Sequence, residues 1–294
     1  MNSSIQEQKL SKKLPARRRV LDVVLRVLII LCTVITVSLL IGLIGYIFIK
    51  GLPNVSWNFL STQRSVLEEN IGILPNILFT VYTILTAMLI ALPLGVGAAI
   101  YLNEYSSSRK FVRFIEFSTE TLAAIPSIIY GLVGMLFFCQ KLGLKTSVLA
   151  GSLTLVVMIL PNIIRTTQES LKTTPQAYRH GAVALGATKW YTIRTIVLPC
   201  TLDGIVGGAI LAVGRIVGES AALIFTAGAG YVLVTNYLDA LATSGGTLSV
   251  MLYVYVMENG EFEVGFAIAA ILMILVLLIN MGAKYAKKRL KKVS

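Results

Sequence analysis

Six stretches of this chain, at about 24–49, 77–101, 121–140, 146–164, 200–227 and 264–283, are apolar for long enough to cross a bilayer as helices. That repetition narrows the possible folds more than any other feature. In hydrocarbon every backbone N–H and C=O must be satisfied within the segment, so runs of about twenty apolar residues read as membrane-spanning helices. The third and fourth runs are separated only by a short turn around Lys141, Gly143 and Lys145, so a re-entrant pair is an alternative there. The first run begins after a polar, basic stretch and is longer than a signal-peptide core, which predicts a retained helix. The expectation is an all-α integral membrane protein with six transmembrane helices. It has a basic tail over 1–23, one membrane domain over 24–283, and a second basic tail over 284–294.

Composition agrees. Of 294 residues, 56% are hydrophobic and only 14% charged, against about 25% charged in soluble domains; the mean hydropathy is +0.80. The net charge of +12 could suit nucleic acid, but its placement does not. Lys9, Lys12, Lys13, Arg17, Arg18 and Arg19 precede the first run, and Lys284, Lys287, Lys288, Arg289, Lys291 and Lys292 follow the last. Basic residues that bracket apolar spans are topology anchors facing the cytoplasm and its anionic lipid. With the N-terminus inside, Arg109, Lys110 and Arg113 fall in the second loop between runs and Arg165, Lys172, Arg179, Lys189 and Arg194 in the fourth, both expected to be cytoplasmic. The segment 228–263 carries Asp239, Glu258, Glu261 and Glu263 with no Lys or Arg, and is expected outside, with both termini inside. Cys32, Cys139 and Cys200 have neither metal-site nor paired spacing. No GxxxxGK[ST], HExxH, CxxC or GxSxG occurs, so no ATP-binding or hydrolytic chemistry is assigned to this chain.

Residues 166–198 are too polar to cross and too rich in helix formers to be linker. Pro175 suits the first turn of a short helix, and Gly186 a sharp turn after it. Ala182, Val183 and Leu185 are expected as an exposed apolar patch, which either receives a partner or lies on lipid.

The order of residues resembles the loop pattern of binding-protein-dependent ABC permeases: Glu-Ala-Ala, three residues, Gly, nine residues, Ile, one residue, Leu-Pro. Here the positions are His180, Gly181 and Ala182, then Gly186, then Ile196, Leu198 and Pro199, with His180 standing for Glu and Gly181 for Ala. LPNIIRTTQESL over Leu160–Leu171, then GATKW, then GRIVGESAALIFTAG over Gly214–Gly228 are similar to phosphate-specific permeases of PstA type. The PstC-type sister shares much of this signature. The resemblance implies a MetI-like type I importer fold in a bacterial cytoplasmic membrane, non-catalytic in itself. ATP and Mg would sit on two PstB-like ATPase subunits docked on a loop that includes Tyr178, His180, Gly181, Ala182, Leu185, Gly186, Ala187, Leu198 and Pro199. A PstC-like second permease and an extracellular PstS-like phosphate-binding protein complete the implied assembly. A permease for another solute is the near alternative, and a secondary transporter or ion channel the distant one.

Two charges interrupt the fifth apolar run. Arg215 and Glu219, four residues apart, would share one face of a continuous helix. They either neutralise each other or serve an anion. Arg offers a fork of donors suited to phosphate, and an ionised Glu could accept from the O–H that phosphate carries and sulfate lacks. The resemblance also implicates Arg165, which an anchoring role would equally explain. Gly204 and Gly208, then Gly214 and Gly218, repeat a spacing that lets helices approach closely.

Overall fold

The computed structural model describes residues 16–65 and 70–290. Lys9, Lys12, Lys13, Lys291 and Lys292, part of the expected basic tails, lie outside these. The chain divides into two compact units, 1–50 and 51–294.

The described residues of the first unit form one helix, α1 (Ala16–Gly51), most of whose apolar side chains are exposed. Two of its hydroxyls are satisfied within the helix: Thr33 Oγ1 donates to the Ile29 carbonyl and Thr36 Oγ1 to that of Cys32, each at 2.8 Å. A long helix whose apolar side chains are exposed rather than packed suits lipid.

In the second unit a short hairpin precedes the helices. β1 (Gln63–Ser65) and β2 (Asn70–Ile73) are antiparallel, with Gln63 opposite Ile73. α2 (Leu74–Ile100) starts at Pro75, where the missing N–H costs nothing, and runs on through a π-helical turn, Tyr101–Tyr105. It packs along α5 (Val148–Thr173), which Ser147 caps by accepting from the Ala150 amide. Leu155, Met158, Ile159 and Ile163 of α5 form the centre of the core with Ala87 and Ala91 of α2. Two of the threonines buried here, Thr80 and Thr154, donate to carbonyls one turn back, whereas the buried hydroxyls of Thr83 and Thr167 have no hydrogen-bond partner among the described residues.

Between α2 and α5 the third span departs from expectation. α3 (Arg109–Ala123) and the helix beginning with α4 (Ser127–Gly134), extended by a π-helical stretch to Lys141, meet at a 98° bend rather than forming one rod over 121–140. Pro126 is the cause: it disfavours helical geometry at Ile125 and has no N–H to continue the ladder. Among the described residues, five helices are long and apolar enough to cross a membrane, and a sixth crossing is reached where the bent pair is counted as one interrupted span.

After α5 come α6 (Gln176–Ala184) and α7 (Lys189–Thr192); a π-helical turn, Ile193–Val197, then leads into α8 (Leu198–Val217). The fifth span also differs from the expected continuous 200–227, because α8 stops at Val217 and a separate short helix, α9 (Ala221–Thr226), follows. The acidic segment beyond it is not a simple loop. It contains α10 (Tyr237–Ala242) and α11 (Leu248–Tyr253), the latter prolonged to Glu258, before the last span, α12 (Phe262–Leu290). Buried hydrogen bonds hold this segment against the bundle: Asn76 Nδ2 donates to the Gly246 carbonyl at 2.7 Å, and the Leu248 amide to Thr80 Oγ1 at 2.9 Å.

Candidate functional site: a stapled loop and a broken helix

Two places combine polar chemistry with irregular backbone. The first is the loop around α6. Thr174 and Pro175 are extended and start the helix, and Gly186 ends it. Gly186 has φ +82°, its amide bonds the Val183 carbonyl, and the Ala187 amide reaches back to Ala182 at 3.0 Å. This double closure requires a left-handed residue after the helix, which glycine adopts without penalty. Thr188 then caps α7 through the Tyr191 amide.

Burial within α6 corrects one expectation. Ala182 is 7% exposed and turned inward, so it seats the helix and contributes little to an outer patch. The exposed apolar residues are Leu185, at 90%, with Val183, Tyr178, Trp190 and Tyr191. An open groove of about 480 Å³ is lined by Leu185, Gly186, Ala187, Thr188, Tyr191 and Ile196, and the little of Ala182 that is exposed borders it too. His180 and Gly181 are exposed, and a Cβ at Gly181 would meet nothing within 4 Å, so no steric demand explains glycine there. Leu198 and Pro199 begin α8, Leu198 packing on a satellite core that includes Ala99, Leu102 and Leu171.

What holds α6 in place was not among the expected site residues. Arg179 Nη2 lies 2.9 Å from Glu104 Oε1, on the π-helical turn that ends α2, and also donates to the Leu171 carbonyl. Nη1 donates to the Thr174 carbonyl at 2.8 Å, and Asn103 Nδ2 supports Glu104. One guanidinium therefore ties the loop helix to α2 and to two carbonyls at the end of α5, those of Leu171 and Thr174. A signal was present in the sequence: Glu104 is an acid at the end of an otherwise apolar run. Topology rules give little weight to acids.

The second place is the break after α8. Arg215 lies in the last turn of α8 and Gly218 caps it, so Glu219 lies beyond the helix. The shared helical face expected for Arg215 and Glu219 is therefore absent, and among the described residues no ion pair joins them. Glu219 is buried and turned the other way. Its Oε1 accepts from the Ala222 amide at 3.0 Å, capping α9, and its carbonyl accepts from Ser249 Oγ at 2.9 Å. A carboxylate at a helix start is favoured by the exposed amides and the dipole. Arg215 is half-buried and, among the described residues, makes no hydrogen bond or ion pair. It lies close enough to Tyr130 to act on it electrostatically. The Tyr130 hydroxyl itself donates across the α3–α4 bend to the Leu122 carbonyl at 2.7 Å.

Arg165 is elsewhere, exposed on α5. Its Nε pairs with Glu169 at 3.0 Å and Nη1 with Glu120 at 3.9 Å, while Lys172 pairs with Glu116 at 3.5 Å. These residues line a cavity of about 230 Å³ in which acids outnumber bases. The structure thus brings Arg165 together with α3 and not with Arg215. The glycines of α8 also divide. A Cβ at Gly204 would strike Ser170, and one at Gly208 would strike Thr166, both on α5, whereas Gly207 and Gly214 face open space.

Membrane-spanning helices around a core, carrying a short helix pair stapled to one end, define a multi-pass transport subunit. Residues 91–292 match the family of binding-protein-dependent transport system inner membrane components, and the chain belongs to that family, as a permease of the ABC importer class. Among its relatives, the probable ABC transporter permease protein YqgI of Bacillus subtilis (strain 168) is 37% identical over 67% of both chains. The phosphate transport system permease protein PstA 1 of Mycobacterium tuberculosis (strain CDC 1551 / Oshkosh) is 30% identical over 92% of this chain and 90% of its own. For the fold, the MetNI methionine ABC transporter superposes with TM-score 0.58 at 21% identity, over 74% of this chain and 94% of that one. The PstA-type and MetI-like expectations are both met.

Proposed function

We propose that the chain is one of two permease subunits of an ATP-driven importer of inorganic phosphate. Arg215 is the residue that meets the anion. The observation that carries this is the unpaired guanidinium at the broken end of α8. Inside a membrane protein an ionised side chain costs about 2.5–3.5 kcal/mol on insertion scales, so one left without a partner belongs at a water-filled path or a substrate site. Phosphate suits a fork of donors, and a relative over nine-tenths of the chain is a phosphate permease.

In this reading Glu219 is a positioning residue. By capping α9 it fixes the interruption and leaves Arg215 at the end of a half-helix, next to the α3–α4 bend. Discontinuous helices at mid-membrane recur in transporters because they expose backbone groups to solute. Arg165 belongs to the charged clasp that moves with α3. Partner ATPases on the cytoplasmic side engage the groove beside Leu185, and Arg179 carries their motion to α2 and α5. An extracellular binding protein supplies the anion.

The test is reconstitution of the assembled transporter in vesicles. Phosphate delivered by its binding protein is expected to stimulate ATP hydrolysis and uptake. Arg215→Gln is expected to abolish uptake while assembly and basal hydrolysis persist, and Arg215→Lys to retain part of it. Full uptake by Arg215→Gln removes the residue from the path. Stimulation by another solute removes the phosphate assignment, and uptake driven by an ion gradient without ATP removes the importer reading.

A further inference from the structure

α3 is two-faced, and only one face is used by this chain. Val112 and Ile115 pack on the cluster between α2 and α5, while Glu116 and Glu120 are engaged by Lys172 and Arg165. The other face carries Arg109, Lys110, Arg113, Phe114 and Phe117, which together line a shallow open groove of about 590 Å³. Phe114 and Phe117 are 64% and 67% exposed, and among the described residues none of the three cations has an ion pair. Both acids near this face being engaged elsewhere, three positive charges remain uncompensated beside two exposed aromatic rings.

Connectivity fixes where this face lies. α2 crosses the membrane and ends at the Ser106–Ser108 connection; α4 starts the next crossing at Ser127. α3 makes a 98° angle with the helix that follows it, so with that helix along the bilayer normal α3 is the arm of the interrupted span that runs close to the bilayer plane. A helix lying in that plane with cations and phenylalanines on its free face meets headgroups with the first and the acyl boundary with the second.

We infer that the Arg109–Lys110–Arg113 face of α3, with Phe114 and Phe117, is a binding site for the headgroup of an anionic phospholipid. The occupant follows from charge complementarity and depth. A protein partner would need acids placed to match, whereas an anionic leaflet supplies phosphates along the whole helix, each basic residue contributing to adsorption. Because the other face of α3 clasps α5 at Arg165 and Lys172, a lipid seated here would set the resting position of that clasp.

The full chain, purified in neutral detergent, is titrated with phosphatidylglycerol or phosphatidylcholine, and bound lipid is counted by native mass spectrometry. Phosphatidylglycerol is expected to bind preferentially. Neutralising the site in Arg109→Gln/Lys110→Gln/Arg113→Gln is expected to weaken it by about fivefold or more per residue. Arg109→Lys/Arg113→Lys, which keeps the charge, is expected to retain binding and guards against a folding defect. Excess inorganic phosphate is expected not to displace the lipid. Equal binding of the two lipids, unchanged binding in the triple Gln variant, or displacement by free phosphate overturns the inference. So does a photo-crosslinker at Phe114 that captures a protein subunit instead of lipid in the assembled transporter.

Discussion

Arg179 and Glu104 meet at 2.9 Å with side chains only 11% and 10% exposed, joining the loop helix α6 to the end of α2. The pair is short, buried and supported on both sides, since two carbonyls accept from the guanidinium and Asn103 donates to the carboxylate. It makes the loop continuous with the bundle, so a force on α6 is felt directly by α2 and α5.

Removing one partner from such a pair leaves an uncompensated buried charge, at a cost of about 3–5 kcal/mol. Arg179→Ala and Glu104→Gln are each expected to lower the melting temperature of the purified permease clearly. Arg179→Met/Glu104→Leu, which removes both charges and keeps volume, should recover much of the loss. The double variant is also expected to hydrolyse ATP with its partners yet transport poorly. A double variant no better than the singles in a thermal melt contradicts this account of the pair.

Gly186 and Gly181 lie in the same short element, and the two should respond oppositely to alanine. Gly186 has φ +82°, where an L side chain costs about 1–2 kcal/mol, so Gly186→Ala should loosen the loop. Gly181 is helical with open space around its missing Cβ, and Gly181→Ala should be neutral or stabilising by up to about 1 kcal/mol. Hydrogen exchange across 176–190 measures both; equal protection in the two variants contradicts the assignment.

The outer side of the loop makes a separate prediction. Leu185 is 90% exposed and touches little of its own chain, so Leu185→Asp should change stability by no more than about 0.5 kcal/mol. If the groove receives an ATPase, the same change should prevent that subunit from co-purifying. Retention of the ATPase with an unaltered melt places the docking surface elsewhere.

Much of the fold was legible because lipid permits so few solutions. Runs of apolar residues specify spanning helices, and α1, α2 and α12 lie close to the expected ranges, whereas α5 runs on to Thr173, past the expected end at 164 and into the segment expected as loop. The misses share a physical cause: hydropathy does not see where a backbone bends. Pro126 turned an expected rod into a right angle, and Gly218 with Glu219 cut the fifth span, because a side chain capping a new helix replaced one more turn of the old. The loop position was readable from Pro175, Gly186 and the Leu198–Pro199 ending. Its staple was not, since Arg179 and Glu104 are 75 residues apart and the one local signal, an acid closing an apolar run, does not say which base it meets. Ala182 could not be assigned a face until the helix was seated, and Arg165 could not be separated from Arg215 until α3 supplied its acids.

The glycines of α8 test how this subunit meets its neighbours. Gly204 and Gly208 lie against Ser170 and Thr166, where a Cβ would collide, so they serve packing on the chain's own α5. Gly207 and Gly214 face open space, and exposed Leu211 continues that side of the helix. Overpacking a well-filled contact costs about 1–3 kcal/mol, so Gly208→Leu should destabilise the isolated permease by that order. Gly214→Leu adds a side chain where nothing stands and should leave the isolated melt unchanged. If a second permease subunit closes the path on this side, Gly214→Leu should block its assembly. Size-exclusion chromatography of the co-expressed subunits separates the outcomes. Normal assembly of Gly214→Leu, with Gly208→Leu as the folding control, would move the partner interface to another face of the bundle.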